Sequence, residues 1–254
     1  MLLQDQATIV TGVGAGMGRA FALRCAAEGA RVIGADVDEE RGRDTMDKAG
    51  GTFVRCDVGD LAAIEALVNT AIEQLGRIDF LVNNAGVTKS LGFFDVTEAD
   101  WDRIYRVNAK GLFFCMQAVA RQMREQRSGR IVNIASIAGK GFRGTSNVAY
   151  AGTKGAVIAM TRIAASQLAR YDINVNAVCP GATRTDLYAQ VMGEMIDRQG
   201  ISAEDAQARL DRSIPLRRSN EPDDVGNLVV WLGSDQSRNV TGQSWNVDGG
   251  LVWD

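Results

Sequence analysis

Tyr150 and Lys154 lie four residues apart in the stretch SNVAYAGTKGAVIAMTR, residues 146–162. On a helix that spacing stacks them on one face, a turn from each other. A free phenol titrates near pH 10, so bringing it to neutrality takes about 4 kcal/mol of differential stabilisation. A neighbouring ammonium favours the phenolate. Such a pair can take a proton from an alcohol or return one to a carbonyl. The chain contains no histidine, which excludes a Ser–His–Asp triad, a histidine base and a His-ligated catalytic zinc. Proton transfer therefore falls to Tyr, Lys, Asp, Glu or Cys. Two more polar residues stand out. Ser136 closes the apolar run GRIVNIAS, and Asn108 interrupts the helix-like YRVNAKGLFFCM. Asparagine is a poor helix former and costly when buried without partners.

A second constellation precedes these. TGVGAGMG, residues 11–18, follows an apolar run and opens an amphipathic one. Gly12, Gly14, Gly16 and Gly18, with Met17 among them, let backbone N–H groups and a helix start approach a pyrophosphate. Asp36 ends the next apolar run. A carboxylate there accepts from both ribose hydroxyls of an adenosine and repels a 2′-phosphate. No Arg or Lys occurs in the loop before Arg19, and Val37 follows Asp36. The expected cofactor is NAD rather than NADP.

These residues need a scaffold. Strands are expected at 7–10, 30–36, 51–57, 78–86, 129–136, 173–181 and 242–250. Helices are expected at 17–28, 38–49, 60–75, 97–126, 147–171 and 222–233. Continuously apolar strands alternating with helices predict an α/β fold, a doubly wound parallel sheet of about seven strands covered on both faces. The 254 residues suffice to bury a core without disulfide or metal, and one domain, 1–254, is the economical division. Cys25, Cys56, Cys115 and Cys179 are far apart with no CxxC spacing, so buried free thiols and no metal site are expected. A net charge of −3 with no basic patch argues against nucleic acid. No apolar run is long enough for a bilayer and no signal peptide is visible, so a cytoplasmic protein with no membrane partner is expected.

Taken in order, the motifs resemble those of the short-chain dehydrogenase/reductase family over nearly the whole chain. TGVGAGMG is similar to its TGxxxGxG, CDV (56–58) to its adenine-contacting Asp-Val pair and NNAG (83–86) to its strand-four motif. Asn108, Ser136, Tyr150 and Lys154 match its catalytic four, and PGATRT (180–185) its PGxxxT loop. The resemblance implies a Rossmann-like fold with Tyr150 as general acid/base and Ser136 on the substrate oxygen. Lys154 is implied on the phenol and the nicotinamide ribose, and Asn108 holds a water linking the lysine to solvent. It places Asn84, Ala85 and Gly86 on the adenosine ribose side and Asp57 and Val58 beside adenine. Pro180, Gly181, Thr183 and Thr185 fall around the nicotinamide and pyrophosphate, although Thr183 departs from the aliphatic residue common there. It also implies a homotetramer through the helices 97–126 and 147–171.

The substrate is less legible. Leu187, Tyr188, Val191, Met192, Met195 and Ile196 recur at helical spacing within a long connection. They suggest a lid at about 186–215 over the strand ends. Ser136, Asn147, Tyr150, Leu187 and Tyr188 are the expected substrate contacts. Lys89 and Lys140 either meet an acidic or hydroxylated substrate or are solvated surface lysines. The expected reaction interconverts a small or medium secondary alcohol (polyol, sugar or cyclic type) and its ketone. The alternatives are a 3-oxoacyl-(acyl-carrier-protein)-type reductase and a nicotinamide-binding sensor without catalysis.

Overall fold

The computed structural model describes residues 1–144, 146–186, 188–189, 192–193, 196 and 200–253. Its frame is a parallel sheet of strands β1 (Ala7–Thr11), β2 (Arg31–Asp36), β3 (Thr52–Arg55), β4 (Phe80–Asn83), β5 (Gly129–Ile134), β6 (Ile173–Pro180) and β7 (Ser244–Val247). The seven strands run in the order β3-β2-β1-β4-β5-β6-β7. β1 is fully buried and pairs on both edges, Ile9 with Ile33 of β2 and with Leu81 of β4. The order reverses between β1 and β4, and a Rossmann-like sheet opens a crevice at that switch point.

Helices cover both faces. Along each strand alternate residues divide between two cores. Ile9, Leu81 and Ile131 pack towards α3 (Leu61–Leu75), α5 (Leu112–Gln126) and α6 (Val148–Leu168). Val10, Val82 and Val132 pack towards α1 (Gly16–Ala27), α2 (Glu39–Ala49) and a later helix, Pro222–Gly233. This two-sided burial is why the strands read as continuous apolar runs.

Most helix starts are closed by a side chain accepting from a first-turn N–H. Asp38 caps α2, Asp60 caps α3, and Thr97 caps α4 (Glu98–Tyr105). Asn147 caps α6 and Ser202 caps α7 (Ala203–Ser213). Glu221 and Asp224 form a reciprocal capping box at α8 (Pro222–Gly233). The start of α1 differs. Ala15 stands at its N-cap with no side-chain hydrogen bond.

The single helix expected over 97–126 is divided. α4 leads into a π-helical turn, Arg106–Gly111, before α5. Asn108 lies in that turn. Widening the helix there lets a buried amide find partners outside the ladder. The basic run RQMREQRSGR ends α5, with Arg124 in the last turn, where the helix dipole favours a cation, and Arg127 in the left-handed region. All four cysteines are buried free thiols. Among the described residues no helix is long and apolar enough to cross a membrane.

Candidate active site

The crevice at the switch point is a cleft of about 260 Å³. Of the residues singled out in the sequence, it brings together Gly12, Gly16, Met17, Gly18, Asp36, Asn84, Ala85, Gly86, Tyr150, Lys154 and Thr185. Gly14, Val37, Asp57, Val58, Pro180, Gly181 and Thr183 do not line it.

Its floor is bolted together by Thr11, which sequence reasoning passed over although it heads the glycine loop. The Thr11 hydroxyl accepts from the backbone N–H groups of Asn84 and Ala85, both at 3.0 Å. Asn84 Nδ2 donates back to the Thr11 carbonyl at 2.9 Å. The glycine loop is packed so closely that a Cβ on Gly18 would overlap the Gly12 carbonyl oxygen. That approach brings the uncapped start of α1 to the cleft, where its first-turn N–H groups and dipole favour an anion.

Asp36 is oriented by the protein. Its carboxylate accepts from Gly14 N at 2.7 Å and from Asp38 N at 2.9 Å. Val37 beside it is exposed. Two nearby cations, Arg19 and Arg41, are paired with acids. Arg19 donates to Asp44 at 2.7 Å and to Thr45 at 3.0 Å. Arg41 pairs with Asp186 at 3.3 Å and with Asp38 at 3.8 Å. Asp57 accepts from Arg106 at 2.9 Å and from Gly59 N at 2.8 Å. Burial opposes ionisation of that carboxyl, but Arg106 and the Gly59 N–H outweigh it and hold it below the usual range.

At the other end stand the tyrosine and lysine. Tyr150 is the third residue of α6, at the positive end of the helix dipole, which favours an anion. The Ser136 hydroxyl lies beside its phenol and favours the phenolate. Ser136 heads a 3-10 turn, Ile137–Lys140, that lies directly on α6. A Cβ on Gly139 would sit 2.5 Å from the Lys154 carbonyl carbon, so glycine permits this approach. Burial raises the phenol above its ordinary value, and Ser136 offsets this only in part. Lys154 is 4% exposed, donates to the Ile134 carbonyl at 2.7 Å and lies 5.6 Å from the centre of the Tyr150 ring. Burial brings its ammonium down from 10.5 to about 8, against a smaller opposing effect of Cys179.

Several of the polar residues singled out in the sequence are engaged within the protein. Asn147 is buried, and its amide is used by the protein as the cap of α6 and a tie to the segment 88–89, so it has no free polar group for substrate. Asn108 is fully buried, and its side chain grips the backbone of Val87, accepting from N and donating to O, both at 2.8 Å. The Thr183 hydroxyl turns inward, donating to Gly181 O at 3.2 Å and accepting from Asn220 at 3.4 Å. Lys89 pairs with Asp100 at 3.2 Å, and Lys140 donates to Ser244 O at 3.0 Å. Neither is a free cation awaiting substrate.

Of the expected lid, Tyr188 donates to Gln207 at 2.6 Å. That amide donates to Ser219, whose hydroxyl donates to Asp211 at 2.9 Å. Leu187, Val191 and Met195 lie outside the described residues. Among the described residues no group of three or more His, Cys, Asp or Glu is placed to hold a metal.

The residues present fit a dinucleotide. An uncapped helix start and close-packed glycines face one stretch of the cleft, with a carboxylate at one end and a phenol–ammonium pair at the other. Comparison with known proteins agrees. The family model described as enoyl-(acyl carrier protein) reductase matches residues 12–252. BbsD of Thauera aromatica, a subunit of a hydroxy(phenyl)methylsuccinyl-CoA dehydrogenase, is 39% identical, with 98% of each chain covered. Galactitol 2-dehydrogenase of Agrobacterium fabrum is 37% identical, again over 98% of each. A solved actinorhodin polyketide ketoreductase, determined with NADPH, superimposes with a TM-score of 0.92 at 34% identity, covering 97% of each chain.

Proposed function

The chain belongs to the short-chain dehydrogenase/reductase family of nicotinamide-dependent oxidoreductases, and from that premise we propose an NAD-dependent enzyme interconverting a small or medium secondary alcohol and its ketone. The observation that carries this is the Tyr150 phenol in the first turn of α6, with Ser136 beside it and Lys154 5.6 Å from its ring centre. A bound oxidised nicotinamide would supply a hydride acceptor and a positive charge. Tyr150 takes the alcohol proton in oxidation and returns it in reduction. Ser136 hydrogen-bonds the reacting oxygen. Lys154 favours the phenolate and reaches the nicotinamide ribose. Asn84, Ala85 and Gly86, which line the cleft, would flank the adenosine ribose, and the α1 start would meet the pyrophosphate. By resemblance to the family, Asp57 and Val58 would flank adenine, and Pro180, Gly181 and Thr185 would form the loop beside the nicotinamide, although of these only Thr185 lines the cleft.

Asp36 supports NAD over NADP, because its fixed carboxylate accepts from ribose hydroxyls and repels a 2′-phosphate. Arg19 and Arg41 are each already paired with acids. Asp36→Asn is expected to lower the preference for NADH over NADPH by about tenfold or more, the worth of a charge-assisted hydrogen bond. Fluorescence titration of both nucleotides against both proteins measures it. Equal affinities in the wild type would remove the NAD assignment.

The substrate class is polyol, sugar or cyclic alcohol, a reading supported by the galactitol relative. A 3-oxoacyl-(acyl-carrier-protein)-type reductase is the second reading, favoured by the ketoreductase likeness. A panel of polyols, sugars, cyclic diols, aryl carbinols and 3-hydroxyacyl thioesters, assayed for NADH formation, separates the two. Silence across it with tight NADH binding would point to a non-catalytic sensor. We further propose a single domain over 1–254, a lid at about 186–215 and a cytoplasmic homotetramer. Phe113 of α5 and Ile163 of α6 are exposed apolar side chains on the helices that would pair. A monomer by light scattering at micromolar concentration would refute the tetramer.

A further inference from the structure

We infer that Asn147 is a positioning residue for catalysis, fixing the main chain of Tyr150 to the segment that follows NNAG; this rests on the reading of Tyr150 as the acid/base. Two arms reach from Tyr150 to that segment. In the first, Asn147 Oδ1 accepts from Tyr150 N at 2.7 Å. The same amide donates to Thr88 Oγ1 at 3.2 Å and to Lys89 O at 2.7 Å. Thr88 in turn shares a 2.5 Å hydrogen bond with Ser146. In the second arm, the Thr153 hydroxyl donates to Tyr150 O at 2.8 Å and accepts from Asn108 at 3.4 Å. Asn108 holds Val87 at both its N–H and its carbonyl.

Both peptide groups of Tyr150 are therefore tied to residues 87–89, which run on from the cofactor cleft. An ordinary cap needs only the Oδ1 contact. Aspartate or serine would serve as well. The two donors of Asn147 are surplus to capping. They are buried, paired within the protein, and set where α6 begins relative to the cleft. A phenol displaced by about 1 Å from its substrate oxygen loses rate steeply, on the order of a hundredfold, so the tie acts on the chemical step rather than on cofactor affinity.

Asn147→Ser separates the two duties, since serine caps a helix but is too short to reach Thr88 and Lys89. Thr88→Val removes one partner from the other side. With the best alcohol of the panel, Asn147→Ser is expected to lower kcat about tenfold or more while KM and the NADH dissociation constant stay within about threefold. The pH profile of kcat should shift with it. Independently of turnover, ultraviolet titration of the phenol, read as the protein minus its Tyr150→Phe counterpart, should move in Asn147→Ser and in Thr88→Val. A lower melting temperature with unchanged kcat, pH profile and phenol titration in both variants would overturn the inference. Full activity in Tyr150→Phe would instead overturn the acid/base reading itself, so the two failures are distinct.

Discussion

Tyr150→Phe is expected to lower turnover by about 10²–10⁴-fold, the span of general acid–base catalysis, while NADH binds with little change. The substitution keeps the ring and its place in the first turn of α6 and removes only the hydroxyl that lies beside Ser136. Packing and the nearby Lys154 ammonium, 5.6 Å from the ring, remain. The loss therefore reports the proton and not the fold. The direction of the pH dependence follows from the same site. Burial holds the phenol above its ordinary value in the protein by itself. The α6 dipole and Lys154 oppose this, and the positive charge of oxidised nicotinamide adds to them. Oxidation needs the phenolate, so its rate should rise with pH until the phenol ionises. Reduction needs the phenol, so its rate should fall over the same range. Steady-state rates in both directions across pH 6–10 (roughly the range between unperturbed His and Tyr values) check both signs. Near-wild-type turnover in the variant would remove Tyr150 from the mechanism.

Much of this was legible because burial on two faces leaves a simple mark. Strands such as ATIVT and INVNAVCP are mostly apolar and buried along their whole length, Thr and Asn included, since β1 and β6 are covered on both sides. Tyr150 and Lys154 were legible because a four-residue step on a helix fixes a shared face. The strand ends were overdrawn where function begins. Residues 84–86 were read as strand, but β4 stops at Asn83, and Asn84 and Ala85 turn their N–H groups onto Thr11. The π turn was visible only as a misplaced asparagine, because a widened turn leaves the apolar period nearly intact. Asn147 and Thr183 show the limit more plainly. A polar residue before a helix reads equally as cap or as ligand, and its second amide contact depends on Lys89, far away in sequence. The Thr183 hydroxyl is aimed by Asn220, a pairing that no local pattern encodes.

Lys154→Met should change activity and stability with different signatures. The cation is 4% exposed and donates to a neutral acceptor, Ile134 O. Lowering its pKa from 10.5 to about 8 corresponds to about 3 kcal/mol of destabilisation at neutral pH. Methionine removes the buried charge but leaves the Ile134 carbonyl without its donor, a cost of about 1–3 kcal/mol. The net gain at pH 7 is therefore at most about 2 kcal/mol. The pH dependence is the sharper test. Between about 8 and 10.5 the unfolded lysine carries a proton that the folded one has lost, so stability from this group rises with pH across that window and its full penalty applies below it. The buried thiols of Cys25, Cys56 and Cys115, raised to about 12, 11 and 12, act oppositely above pH 9 because the folded state keeps their protons. They are common to both proteins and cancel in the difference. Denaturant unfolding of wild type and variant at several pH values should show the wild type gaining about 3 kcal/mol on the variant between pH 8 and 10.5. Parallel curves would mean that Lys154 is not held against its own desolvation. Turnover should fall about 10²–10⁴-fold in the variant, because the phenolate loses its nearest cation. A residue that the fold would be as stable without, and the chemistry far slower without, is kept for the chemistry.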